Sequence, residues 1–87
     1  MARYISLHTL ACLTRQGAEQ LAERLAQAKP FSTRRVLVSS IEGKMLVEFD
    51  APEREVLEKW LATEKIHYDW LLRVEYESRD GHMQPVT

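Results

Sequence analysis

The sequence predicts an α+β fold of strand–helix–strand–strand–helix–strand order, and three observations carry that prediction. Segments of alternating or β-branched residues are interleaved with segments whose apolar residues recur at spacings of three and four. Glu42-Gly43 falls between the second and third strand segments as a tight-turn signal, which makes those two a hairpin. The chain has 87 residues, with 45% hydrophobic and 29% charged content, which is one folded domain and no more.

Taken in order, Arg3 to Leu10 alternates cleanly, with Ile5, Leu7 and Thr9 on one side and Tyr4, Ser6 and His8 on the other. Ala11 to Leu13 is a short connection, and Thr14 offers an N-cap hydroxyl. The spacing of Ala18, Leu21, Ala22, Leu25 and Ala28 predicts a helix over Thr14 to Lys29, stopped by Pro30. Arg34 to Ile41 is a β-branched strand, and Lys44 to Phe49 returns after the turn. Asp50 and Glu53 read as a capping box for a second helix with Pro52 in its first turn. Val56, Leu57, Trp60 and Leu61 are its apolar stripe, and it frays near Glu64-Lys65. Trp70 to Glu77 is the last strand, after a loop from Ile66 to Asp69. Residues 1–78 then form the domain, and residues 79–87, with Gly81 and Pro85, form a flexible tail.

Right-handed crossovers put both helices on one face of a four-stranded antiparallel sheet in spatial order 4-1-3-2, a ferredoxin-like sandwich. The expected core side of the sheet is Ile5 and Leu7, Val36 and Val38, Met45, Val47 and Phe49, and Leu72, Val74 and Tyr76. The uncovered face then carries Tyr4, Ser6 and His8 beside Leu37, Ile41, Leu46 and Leu71, with Arg35, Glu48 and Arg73 among them. A face this mixed reads as an interaction surface, most simply for a second copy of the chain in a twofold homodimer.

Twelve Lys and Arg against thirteen Asp and Glu give a net charge of −1, without the basic excess of a nucleic-acid binder. The related third-strand RNA-recognition pattern also fails, because Lys44 and Leu46 stand where it needs stacking aromatics. No run has the length of about 18 apolar residues that a membrane span needs. The opening M-A-R-Y-I-S-L-H has no export signal, and the single cysteine, Cys12, forms no internal disulfide. These features point to a cytoplasmic protein.

The expected topology gathers the chemistry at one end of the sandwich. His8 lies near the top of the first strand, Cys12 follows it, and His67 and Asp69 enter from the second helix–strand loop. Imidazole, thiolate and carboxylate are donors that nickel, copper or zinc take, so these four residues are a candidate metal site. The bland alternative is a packed thiol and a helix-end histidine, because no C-x-x-C or H-E-x-x-H spacing is present. On the uncovered face, Tyr4, Glu48 and Arg73 are candidate ligand-binding residues, with His8 and Glu48 a possible acid–base pair. Cross-strand ion pairing accounts for the same charges without a ligand.

The opening M-A-R-Y-I, the F-D-A-P-E at Phe49 to Glu53 and the H-Y-D-W-L-L-R-V-E at His67 to Glu75 resemble the small DUF4242 family of ferredoxin-like proteins. The resemblance spans residues 2 to 77, and Asp69 is the one candidate ligand inside its motifs. It implies a dimeric protein that binds a ligand or a divalent transition metal such as nickel. Three functions are expected in turn: from the end cluster and the resemblance, a homodimeric metal-binding protein; from the open face, a dimeric α+β barrel enzyme acting on a small molecule in a pocket there, or a protein–protein interaction module.

Overall fold

The computed structural model describes residues 1–11 and 14–86. Strand β1 is Ala2–Thr9, helix α1 Arg15–Ala26, β2 Ser32–Ser39, β3 Lys44–Ala51, α2 Arg54–Thr63 and β4 Trp70–Val74. Two short strands follow, β5 Tyr76–Arg79 and β6 His82–Pro85. The main sheet is antiparallel with order β2-β3-β1-β4, the predicted order read from the other edge. Leu25 of α1 and Leu57 and Leu61 of α2 are fully buried in one cluster with Met45, Val47 and Phe49 of β3, so both helices cover the same face.

Helix α1 starts where the sequence places it. The Gly17 amide donates to the Thr14 hydroxyl oxygen at 3.0 Å, satisfying one of the first-turn N–H groups. Arg24, in its last turn, donates to the Glu64 carbonyl and carboxylate, tying α1 to the end of α2. Helix α2 starts later than predicted. Asp50 and Ala51 belong to β3, where Asp50 pairs with Ser32 and Arg3, and the Asp50 carboxylate accepts from Arg34 at 2.9 Å. That contact takes the side chain away from a cap, and Glu53 stands at the N-cap without a side-chain bond. Phe31, just before β2, is 3% exposed and packs edge-on against Phe49 and Trp60, with ring centroids 5.5 and 5.3 Å away.

Two strands bury the face opposite to the one expected. Tyr4 lies across from Phe49 and His8 across from Met45, and residues paired in this way share a face. Tyr4, Ser6 and His8 therefore point at the helices and are buried, while Arg3, Ile5 and Leu7 lie on the open side. Strand β4 follows its neighbour: Leu71 pairs with Ser6 and is buried, whereas Trp70, Leu72 and Val74 lie on the open side with Leu7, Ile5 and Arg3. The physical reason is that Ser6 and His8 hydrogen-bond each other, which removes the penalty of burying them, while Tyr4 fills more core than Ile5 could. Strand β3 faces as predicted, with Met45, Val47, Phe49 and Ala51 buried.

The last predicted strand is broken at Glu75, and the residues expected as a loose tail form a second, two-stranded sheet instead. Strands β5 and β6 pair from Tyr76↔Pro85 to Arg79↔His82 around Asp80-Gly81, both at positive φ. This is the Asp-Gly turn that two-residue hairpins favour. The Val86 amide bonds the Glu75 carbonyl at 3.0 Å and closes the base of the hairpin.

Candidate functional site

The reversed register of β1 and β4 gives the open face a composition the sequence does not suggest. Ile5, Leu7, Leu37, Leu46, Trp70 and Leu72 lie on it together with Val74, carried there by the pairs Leu7↔Leu46, Leu37↔Leu46, Leu7↔Trp70 and Ile5↔Leu72. Leu37 is 48%, Leu72 44% and Trp70 40% exposed. Seven large apolar side chains from four neighbouring strands make a continuous patch rather than scattered exposed residues.

Below that patch, toward the Ala51 end of β3, the same face sinks into a hollow of about 590 Å³. Ile5 and Val74 are its apolar lining, and Arg3, Arg34, Arg35, Glu48 and Glu77 surround them. A β-bulge between Thr33 and Arg35 supplies two of these: the extra residue lets consecutive arginines line one hollow, which strict alternation forbids. The Glu77 wall comes from the β5–β6 hairpin.

The hollow's charges are paired but not saturated. Arg35 meets Glu48 at 2.7 Å, Arg34 meets Asp50 at 2.9 Å, and Arg3 meets Glu77 at 3.1 Å. The Asp50 hydrogen bond raises the Arg34 pKa above its ordinary value. Arg3 differs from the other two because its side chain is only 13% exposed. Only its Nη1 reaches Glu77, and its Nε is buried with no hydrogen-bond partner among the described residues. A guanidinium has five N–H donors, and leaving one buried and unmet is costly.

At the other end of the sheet, the structure brings His8, His67 and Asp69 together as expected, but in different roles. Both His8 ring nitrogens are engaged: Nδ1–H donates to the His67 carbonyl at 2.7 Å, and the Ser6 hydroxyl donates to Nε2 at 2.7 Å. The carbonyl can only accept, which fixes the neutral Nδ1–H tautomer. Burial lowers the His8 pKa, opposed by the His67 carbonyl and the nearby Asp69 charge. His67 contributes its backbone, and its side chain is exposed. Asp69 accepts from the Thr9 hydroxyl, which itself accepts from Lys44 Nζ at 2.7 Å, and the Asp69 amide bonds the Leu7 carbonyl at 2.7 Å. Cys12 lies outside the described residues.

In this arrangement His8 offers a metal no free donor. An imidazole ligand needs a free lone pair, and the one on His8 Nε2 already holds the Ser6 hydroxyl proton inside the core. No three His, Cys, Asp or Glu side chains converge among the described residues. The Ser6–His8 pair has the contacts of a nucleophile and base, but both residues are 0% exposed, so a substrate cannot reach them.

Of the three candidate ligand-binding residues, only Glu48 lines the hollow. Tyr4 is 4% exposed in the core, and Arg73, across from Tyr4, projects on the helix side near Glu75 and Tyr76. The sequence reading misses Arg3 and Arg34, whose signals are small: an Arg-Arg pair entering a strand, and an Arg beside an apolar alternation. No helix of the described residues is long and apolar enough to cross a membrane. Compared with protein-family models, with curated proteins and with solved structures, the chain finds no match, and its own geometry carries the functional reading.

Proposed function

We propose that this protein is a homodimeric binding protein in which two open sheet faces pack together and the hollow between them takes a small molecule. The observation that carries the reading is the apolar face formed by Ile5, Leu7, Leu37, Leu46, Trp70, Leu72 and Val74. Three strands of eight residues and one of five, about 4.8 Å apart and about 3.3 Å per residue, give a sheet of roughly 460 Å² in projection, and side-chain relief brings it toward the roughly 800 Å² per partner of a standard interface.

A second copy is the occupant favoured by charge. The face holds both signs, Arg3, Arg35 and Lys44 against Glu48 and Asp50, so a twofold can oppose unlike charges. The net charge of −1 sets little repulsion between copies. A hollow of about 590 Å³ is within the size range of small-molecule sites, and covering its open side would bury a ligand as such sites do.

Sedimentation equilibrium tests the reading. At about 100 μM, well above a micromolar dissociation constant, the expected mass is twice the 10.1 kDa of the chain. Leu72→Glu, on the β4 side of the patch beside Ile5, is expected to give the single-chain mass while leaving the far-ultraviolet circular dichroism unchanged. A wild-type protein with the mass of one chain at that concentration overturns the dimer.

A further inference from the structure

We infer that the hollow on the open face is a site for a small carboxylate with an apolar body, held by the Arg3 guanidinium. The inference rests on the reading of this face as the binding surface and names the ligand class it takes.

Arg3 carries the argument. It is the most sequestered cation of the hollow, with 13% of its side chain exposed. One N–H reaches Glu77, and Nε lacks an acceptor among the described residues. A guanidinium presents its Nε–H and one terminal N–H as a parallel fork, and a carboxylate is the acceptor whose two oxygens match that fork. Nε is buried as the side chain stands, so a ligand carboxylate meets this edge when the Arg3 head leaves Glu77 and turns into the hollow, and it then satisfies the orphaned donor, which no side chain does among the described residues.

The remaining lining agrees in charge and polarity. Three arginines and two glutamates line the hollow, and Asp50 on Arg34 balances the third cation, so a monoanion binds Arg3 in exchange for Glu77. Arg34 and Arg35 keep Asp50 and Glu48 as partners and need not be freed. Ile5 and Val74 give the ligand's body an apolar surface beside the fork.

Glu77 is the built-in competitor. It belongs to the short β5–β6 hairpin, and its side chain is 40% exposed, so its hold on Arg3 is screened by water. A ligand carboxylate in the covered hollow is less screened, and it takes Arg3 while Glu77 turns to solvent. Arg79, 3.5 Å from Glu77, stands ready as the alternative partner on the same hairpin.

Titration with hexanoate, its neutral analogue hexanamide and the cation hexylamine tests this, read by calorimetry and by the arginine Nε–H resonances. Hexanoate is expected to bind saturably and shift the Arg3 Nε–H signal, at least about tenfold more tightly than either analogue. Arg3→Gln is expected to lose that preference, and Glu77→Gln, which removes the competitor, is expected to tighten hexanoate binding. Equal binding of hexanoate and hexanamide, no saturation up to about 10 mM where even millimolar affinity registers, or unchanged binding by Arg3→Gln each overturns the inference. Should Arg3→Gln not fold, Glu77→Gln decides: unchanged or weaker hexanoate binding overturns it. The mass of each sample, measured in parallel, separates the two readings. A dimer indifferent to hexanoate overturns the site and leaves the dimer standing, and a single chain that binds hexanoate does the reverse.

Discussion

His8 couples the stability of this fold to pH. In the unfolded chain its pKa is near the ordinary 6.5, and in the folded protein burial lowers it. Below pH 6.5 the unfolded state takes up a proton that the folded state refuses, so stability is complete above 6.5 and declines as pH falls through it. The decline is at most about 1.4 kcal/mol per pH unit for this one proton. Urea unfolding at pH 7.5 and pH 5.5 measures it, and equal midpoints at the two values contradict the buried neutral imidazole. Ser6→Ala removes the donor to His8 Nε2 and leaves a buried acceptor unmet, which is expected to cost about 1–3 kcal/mol in the same assay at pH 7.5. At this scale the sequence was half legible. Loop geometry placed His8 beside His67 and Asp69, as the structure has it. Alternation separates the two faces of a strand without saying which is buried, and a polarity count sends Ser6 and His8 outward. Their mutual hydrogen bond reverses that choice, and it is invisible until the two side chains are placed.

At the scale of elements, the helices and the hairpin followed from short-range chemistry, because periodicity and turns are local, and the strand order followed from the handedness of the crossovers. Gly43 shows how local: it ends the β2–β3 turn at φ 66, and its carbonyl accepts from the Leu10 amide at 2.9 Å, joining the turn to the end of β1. A Cβ at this position meets the Leu10 carbonyl oxygen at 3.0 Å. Gly43→Ala is therefore expected to lower stability by about 1–2 kcal/mol, from left-handed strain with the close contact added. Thermal unfolding checks it, and a melting temperature equal to wild type speaks against the turn geometry. The less legible elements depend on pairing across strands. Asp50 reads as a helix cap until Arg34 claims its carboxylate, and Arg34 reaches it from a bulge that no spacing in the sequence announces. The β5–β6 hairpin was more accessible, since Asp80-Gly81 is a hairpin signal; its polar flanks hid it, because neither strand presents a buried face.

At the scale of the whole molecule, one face of the sheet is covered by two helices and the other holds a large apolar patch beside a charged hollow. A chain of 87 residues buries a modest share of its surface, so stability gained by covering that patch is a large part of the total. If folding and pairing are linked in this way, the melting temperature depends on protein concentration by mass action. Each tenfold rise in concentration contributes about 1.4 kcal/mol per dimer, which for a dimer of this size shifts melting by about 3–5 °C. The wild-type protein is expected to show twice that shift, about 6–10 °C, between micromolar and hundred-micromolar samples. Leu37→Glu changes a side chain that is 48% exposed in the single chain, so it leaves the fold intact while placing a charge where the partner's apolar face must sit. Its melting temperature is expected to be lower than wild type at high concentration and independent of concentration throughout. A concentration-independent wild type means that the open face is not covered by a second copy, and a concentration-dependent Leu37→Glu means that the copies meet somewhere other than this face.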